Sequence, residues 1–435
     1  MTTEKRILIT GAAGYIGHQL GNRLAKDYFV MGTDLHWREG LDFPLEVLDV
    51  RDSKLVLTLA EYRITHVIHL ASILQASPDR QRDYDIDVNG TRNVLEACVA
   101  AKVQHITVTS SGAAYGYHPD NPEWIDEDDP LRGNPEFAYS DHKRQVEELL
   151  ARYRTEHPEL KQLIFRPGTV LGTDTRNQIT SLFLAPRLLA IRGSDSPFVF
   201  IWDQDVLDAM EQGIRTDQSG RYNMAGDGAL TIREIARKLD KPLLVLPASV
   251  VKAGLQVAQW LGKPVTPAQV NFLRYRPVLS NRRLGWAMAQ HWYRAGHCLV
   301  LADIDAEALL QRRAELGDDT RVHIVTVDVT KRAELERLVQ ETETTFGRLD
   351  LLVNNAGITH RSPATSTRPE VFRKVMAVDW QGPVELTQLA LPLLEQSRGG
   401  IICIGSMAGW MPVPGRAGYC AAKGALAQFF EVLRL

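Results

Sequence analysis

The stretch KRILITGAAGYIGHQL, residues 5–20, leaves a chain very few ways to fold. RILIT is a short apolar run that suits a strand buried in a parallel sheet. Three glycines follow at 11, 14 and 17. One serves the tight turn, one lets the backbone approach a pyrophosphate, and one lets the next helix pack on the strand. The helix start offers free N–H groups and a partial positive charge to phosphates. A glycine pattern alone is weak, but its place between strand and helix strengthens it. The expectation is an α/β fold built on a Rossmann-type, doubly wound parallel sheet.

The next segments extend that sheet. FVMGTDL reads as a second strand ending in Asp34, whose carboxylate can accept both ribose hydroxyls and would repel a 2′-phosphate. NAD is therefore expected over NADP. LEVLDVRD reads as a third strand, placing Asp49 and Val50 near an adenine. THVIHLAS reads as a fourth, and VNGTRNVLEACVAAKVQHITVTSS as a helix followed by a fifth strand.

The chemistry is expected in VTSSGAAYG and YSDHK. Tyr139 and Lys143 stand four apart, so on a helix they share one face. A neighbouring ammonium favours a phenolate, which can then exchange a proton with a substrate hydroxyl or carbonyl. Ser111, at the end of the fifth strand, would hydrogen-bond the same oxygen. This pair is common by chance, but its combination with the glycine loop, the acidic strand end and the serine is not.

On these motifs, together with DVNGTRNVLEA, FRPGTVLG and WDQDVLDAM, roughly residues 5–283 resemble an extended short-chain dehydrogenase/reductase, the branch that includes nucleotide-sugar epimerases and dehydratases. The resemblance implies Ser111, rather than Ser110, with Tyr139 and Lys143 as the catalytic set. It implies that Gly11, Gly14, Gly17, Asp34, Asp49 and Val50 hold NAD, with Lys143 reaching the nicotinamide ribose. It also implies a small substrate-binding region beyond FRPGTVLG. The segment RGSDSPFVFIWDQDV is shorter than in sugar-nucleotide members, and no arginine precedes IWDQD, which counts against a UDP-sugar. Arg166, beside Pro167, is expected to be structural.

From about Gly285 the pattern restarts. HCLVLADID ends in Asp303, VHIVTVDVT carries Asp328 and Val329, and LDLLVNNAG carries Asn354 and Asn355. GGIICIGSMAG places Ser406 at a strand end, and GYCAAKGAL places Tyr419 and Lys423 four apart. Roughly residues 284–435 resemble the single-domain branch of the same superfamily, so the expected domains are 1–283 and 284–435. This second, incomplete module lacks its first strand and glycine loop. Aligned back from Gly285, the other loop glycines fall on Arg283 and Leu279. A side chain there obstructs the approach of a phosphate to the backbone. The chain ends at FFEVLRL, within the helix that carries Tyr419, and Asp379 replaces the asparagine that holds a relay water in this branch. The stretch SNRRLGWAMAQHW thus reads as the seam of a gene fusion, whether natural, constructed or an assembly artefact. Loss of a central strand would leave two half-sheets with open edges, which invite association between copies.

Composition limits the partners. A net charge of −3 over 435 residues gives no attraction to nucleic acid or an anionic membrane. Cys98, Cys298, Cys403 and Cys420 lack metal-ligand spacing, so no metal is expected, and free thiols suit a reducing cytoplasm. The N-terminus runs directly into a strand, without the look of a signal peptide. PLLVLPASVVKAGLQVAQWLG is interrupted by Lys252, Gln256 and Gln259 and reads as strand then amphipathic helix, not a membrane span. Three functions remain open. They are an NAD-dependent oxidoreductase of a small-molecule hydroxyl or carbonyl, an epimerase or dehydratase that retains its NAD, and a non-catalytic nucleotide-sensing or interaction protein.

Overall fold

Five apolar residues, β1 (Arg6–Thr10), organise the first part of the chain. They pair in parallel on both sides at once, Ile7 standing opposite Val30 of β2 (Phe29–Asp34) and His66 of β4 (His66–His69). A strand paired on both edges and covered on both faces has no solvated surface, which is why its residues read as a continuous apolar run. With β3 (Leu45–Val47), β5 (His105–Thr109), β6 (Lys161–Pro167) and β7 (Gly220–Met224), the order across the sheet is β7-β6-β5-β4-β1-β2-β3, all parallel. The doubly wound sheet expected from the sequence is therefore present. In the computed structural model the described residues are 5–73, 79–172, 175, 178–226, 229–262, 265–280, 286, 289–290, 292–293, 295–317, 320–360, 362, 364–406, 409 and 416–434.

The chain divides into two compact units, Met1–Asn281 and Arg282–Leu435. In the first, apolar clusters cover both sheet faces. Leu8, Val67 and Ile106 pack with Leu95 and Leu150 in one, and Ile7, Ile9 and Ile68 pack with Leu20 and Met210 in the other. The segment read as strand then helix is strand Leu243–Leu246 and helix Ala248–Trp260. No helix of the described residues is long and apolar enough to cross a membrane.

Arg166 is a structural residue, as expected. It is 1% exposed and makes a bidentate pair with Glu147, at 2.7 and 2.6 Å, while also donating to the Tyr115 hydroxyl and the Glu127 carbonyl. It thereby fastens helix α2 (Ala138–Glu156) to β6. Glu147→Leu strands this guanidinium, and breaking such a pair costs about 3–5 kcal/mol. The expected result is a clearly lower urea midpoint for unfolding of the first unit. An unchanged midpoint would remove Arg166 from the framework of the site.

The second unit has two separate parallel pairs among the described residues. They are β8 (Leu299–Asp303) with β9 (Val322–Thr326), and β10 (Leu351–Asn354) with β11 (Gly400–Cys403). Val300 of β8 and Leu352 of β10 pack on one core of Val325, Leu335, Leu338 and Leu386. The two pairs are the half-sheets expected when a central strand is lost. The cost in burial is visible at Leu299, Val300 and Leu301, which are half-buried, whereas their first-unit counterparts Val30 and Met31 are buried. NFLRYRP does not supply the strand, because Val270–Arg274 is helical in the first unit.

Candidate active site

The glycine loop connects β1 to α1 (Tyr15–Leu24). Gly11 adopts φ +72°, and a Cβ there would lie 2.8 Å from the Ala71 nitrogen, so only glycine fits the turn. A Cβ on Gly17 would collide with the Gly11 carbonyl, so this residue sets how closely helix and strand approach. Gly14 differs. Its φ is ordinary, and a Cβ would touch only the Gly11 carbonyl, at 3.1 Å. The remaining space around it belongs to a cavity of about 1070 Å³ whose wall includes Gly11, Gly14 and Gly17. This cradle lies at the start of α1, whose first N–H groups have no intrahelical partners.

Asp34 closes the same end. Its Oδ2 accepts the Ala13 N–H at 3.0 Å, which ties the acidic end of β2 to the loop, and it lines the cavity. Asp49 and Val50 also line it. Arg51 donates to both Asp49 oxygens and holds that carboxyl below the usual range.

Ser110, Ser111, Tyr139 and Lys143 lie on the same cavity. Ser111 stands two residues after β5, and its hydroxyl caps the following turn by accepting the Ala113 N–H at 3.1 Å. The buried Ser110 hydroxyl has no hydrogen-bond partner among the described residues. One turn of α2 separates Tyr139 from Lys143, whose Nζ lies 5.8 Å from the phenol ring and donates to the Thr109 carbonyl at 3.1 Å. Lys143 is 5% exposed, so its ammonium acts with little screening.

Two groups around this lysine were not singled out from the sequence. Asp87 sits in a π-turn, Asp85–Asn89, and accepts from Ser72, the Ile73 N–H and His142. Burial alone would raise its carboxyl, but His142, the Lys143 charge and the other donors outweigh burial and hold it low. His69 is fully buried between Thr10 and Thr91, and burial, with the Lys143 charge, pushes it down to about 4. Their chain neighbours carry no spacing rule that links them to Lys143. Only the fold assembles them.

The second unit repeats the local chemistry. Helix α3 (Ala417–Arg434) carries Tyr419 and Lys423, again with Nζ 5.8 Å from the ring and donating to a strand-end carbonyl, here Ile404 at 3.0 Å. Asp379 occupies an equivalent π-turn, Ala377–Gln381, and lies 3.6 Å from Lys423. Asn354 is buried and donates to Thr387, and Ser406 is half-buried three residues after β11. Asp303 is exposed, and its Oδ1 accepts the Asp305 N–H, as Asp34 Oδ1 accepts the His36 N–H in the first unit. Asp328 is held low by the Thr330 hydroxyl and N–H. Arg283 and Gly285 lie outside the described residues. Leu279, which aligns with a loop glycine, is instead a buried residue of the first unit, packed with Tyr115 and Val278.

Comparison with known proteins agrees with this division. Residues 7–202 match the NAD dependent epimerase/dehydratase family, and residues 280–435 match the short chain dehydrogenase family. The chain joins two modules of short-chain dehydrogenase/reductase type. A UDP-glucose 4-epimerase of Thermus thermophilus, solved in complex with NAD, is 26% identical with a TM-score of 0.51, over 66% of this chain and 93% of that one. An 11-beta-hydroxysteroid dehydrogenase A of Sesamum indicum is 37% identical over 35% of this chain and 44% of its own length. A dehydrogenase/reductase SDR family member 7B of Rattus norvegicus is 36% identical over 35% and 49%. The chain thus spans about half the length of the curated relatives it matches.

Proposed function

We propose that the first unit is an NAD-dependent oxidoreductase acting on a hydroxyl or carbonyl of a small molecule. The observation that carries this reading is one cavity lined at once by Gly14, Asp34, Ser111, Tyr139 and Lys143. The loop N–H groups and the start of α1 hold the pyrophosphate, and Asp34 accepts the ribose hydroxyls. Bound NAD supplies the hydride acceptor. Lys143, anchored on the Thr109 carbonyl, reaches the nicotinamide ribose beside Tyr139. Tyr139 takes the hydroxyl proton as the carbonyl forms and returns it in reduction. Ser111 orients the reacting oxygen. A panel of secondary alcohols, hydroxysteroids and sugar nucleotides, read by NADH absorbance, tests the reading, and no turnover of any class would count against it.

Asp34 is assigned the choice of cofactor. The enzyme is expected to prefer NAD to NADP in kcat/KM, and Asp34→Ala is expected to narrow the gap by removing repulsion of a 2′-phosphate. A wild-type preference for NADP would contradict this role.

An epimerase reading is favoured by the match to a 4-epimerase over 93% of that chain. It uses the same residues and differs in outcome, since NAD stays bound and shows no net reduction. In either case the second unit is assigned no chemistry, and the open edges of its half-sheets are assigned to association between copies.

A further inference from the structure

The cavity of the first unit continues past Tyr139 into a chamber walled by apolar side chains, among them Ile179, Leu182, Leu189, Val251, Leu255 and Phe272. Apart from Asp34, Asp49 and Lys143 at the cofactor end, the charged side chain among the described lining residues is Arg276. Arg276 is 8% exposed. Its guanidinium lies 3.4 Å from the Phe198 ring centroid and 4.8 Å from that of Phe272. It donates to the Ser196 carbonyl at 2.9 Å, but among the described residues its Nε has no partner and no carboxylate faces it. Burial pushes its pKa down to about 9. A buried cation without a counter-charge is costly, and the cavity beside it is where an anion can relieve that cost.

Arg276 and Tyr139 line the same cavity, and Tyr117 lies within electrostatic reach of both. Tyr117 packs on Phe272 at 5.4 Å and on Phe137 at 5.5 Å, and Phe137 caps the helix that presents Tyr139. Leu279, three residues after Arg276, lies against Gly112 beside Ser111 so closely that a Cβ on Gly112 would come within 3.0 Å of it. A sugar nucleotide would meet few polar partners in such a chamber, whereas an apolar chain would meet the packing it prefers.

We propose that the first unit acts on amphiphilic acids, in which an apolar body fills this chamber and a carboxylate near the reacting carbinol pairs with Arg276. The inference rests on the oxidoreductase reading above. In oxidation the carbinol C–H bond breaks and its hydride goes to NAD, the O–H proton goes to Tyr139, and the C=O bond forms.

The test uses 3-hydroxybutanoate, 3-hydroxyoctanoate and 3-hydroxydodecanoate, their methyl esters, and UDP-glucose. Binding to the NAD-loaded Tyr139→Phe chain is followed by calorimetry, and oxidation by the wild type through NADH absorbance. Affinity is expected to rise roughly three- to fourfold per buried methylene, with acids bound more tightly than esters. Arg276→Met should erase the acid preference and Arg276→Lys should keep part of it. Leu255→Trp should cap the gain at a shorter chain. A flat chain-length series, an acid-to-ester ratio unchanged by Arg276→Met, or tighter binding of UDP-glucose would overturn the proposal. The acid-to-ester ratio of the unmutated pocket decides the point even if the Arg276 variants misfold. Chain-length-dependent binding without NADH would retain the amphiphile subsite and sink the oxidoreductase reading. Turnover of unrelated alcohols with no chain-length trend would do the reverse.

Discussion

Tyr139→Phe is expected to lower kcat/KM by about a hundred- to ten-thousand-fold, the usual worth of a general acid–base group. The substitution removes one oxygen and keeps the ring, so the packing at the start of α2 is preserved. Cofactor affinity should be unchanged, because the groups assigned to hold NAD are in the loop after β1, on α1, at the end of β2 and just after β3, together with Lys143. Lys143 keeps its own anchor, the Thr109 carbonyl at 3.1 Å, whether or not the phenol is present. The informative measurement is therefore paired, with NAD titration and steady-state turnover on the same preparation. Near-normal turnover would move the proton transfer to another group. A parallel loss of NAD affinity would make Tyr139 a binding residue instead.

Gly14→Leu is expected to abolish NAD binding and with it all activity of the chain. Gly14 tests the pyrophosphate grip better than its neighbours do. Side chains at Gly11 or Gly17 would collide with backbone and disturb the fold itself. A Cβ at Gly14 meets only the Gly11 carbonyl, and Gly14 lines the cavity assigned to the pyrophosphate. The wild-type chain should take up one NAD by calorimetry, and Gly14→Leu none. The second unit keeps a Tyr–Lys pair of matching geometry, with Nζ 5.8 Å from the ring in both units. A pair of this kind works only if a nicotinamide is held within reach, and misplacement by about 1 Å can cost a hundredfold. Its β8 and β10 share no described strand between them. Tyr419→Phe should accordingly leave activity unchanged. A stoichiometry of two, or activity that survives Gly14→Leu, would mean that the second unit has rebuilt a nucleotide site.

Much of this protein was legible from local pattern. RILIT, FVMGTDL and THVIHLAS contain strands at Arg6–Thr10, Phe29–Asp34 and His66–His69, because a strand enclosed on both faces must be apolar throughout. The Tyr–Lys spacing is a property of one helical turn, so it could be read in both modules with equal ease. That no described strand lies between β8 and β10 was legible too, since it follows from an order of segments and not from their packing.

Other features are decided by residues far apart in the chain. Arg276 stands alone only because the fold buries it against Phe198 and Phe272 with no described carboxylate near, and no spacing in RYRP announces that. Leu279 reads as a misplaced loop residue in a one-dimensional alignment, yet it packs in the first unit, with Ile125 and Val278, as part of its core. Asp87, His142 and Lys143 form a buried electrostatic group because a π-turn and α2 meet. Burial and the mutual distance of charges are properties of the folded surface, so the sequence determined which groups were available, and the tertiary structure decided which of them face a substrate.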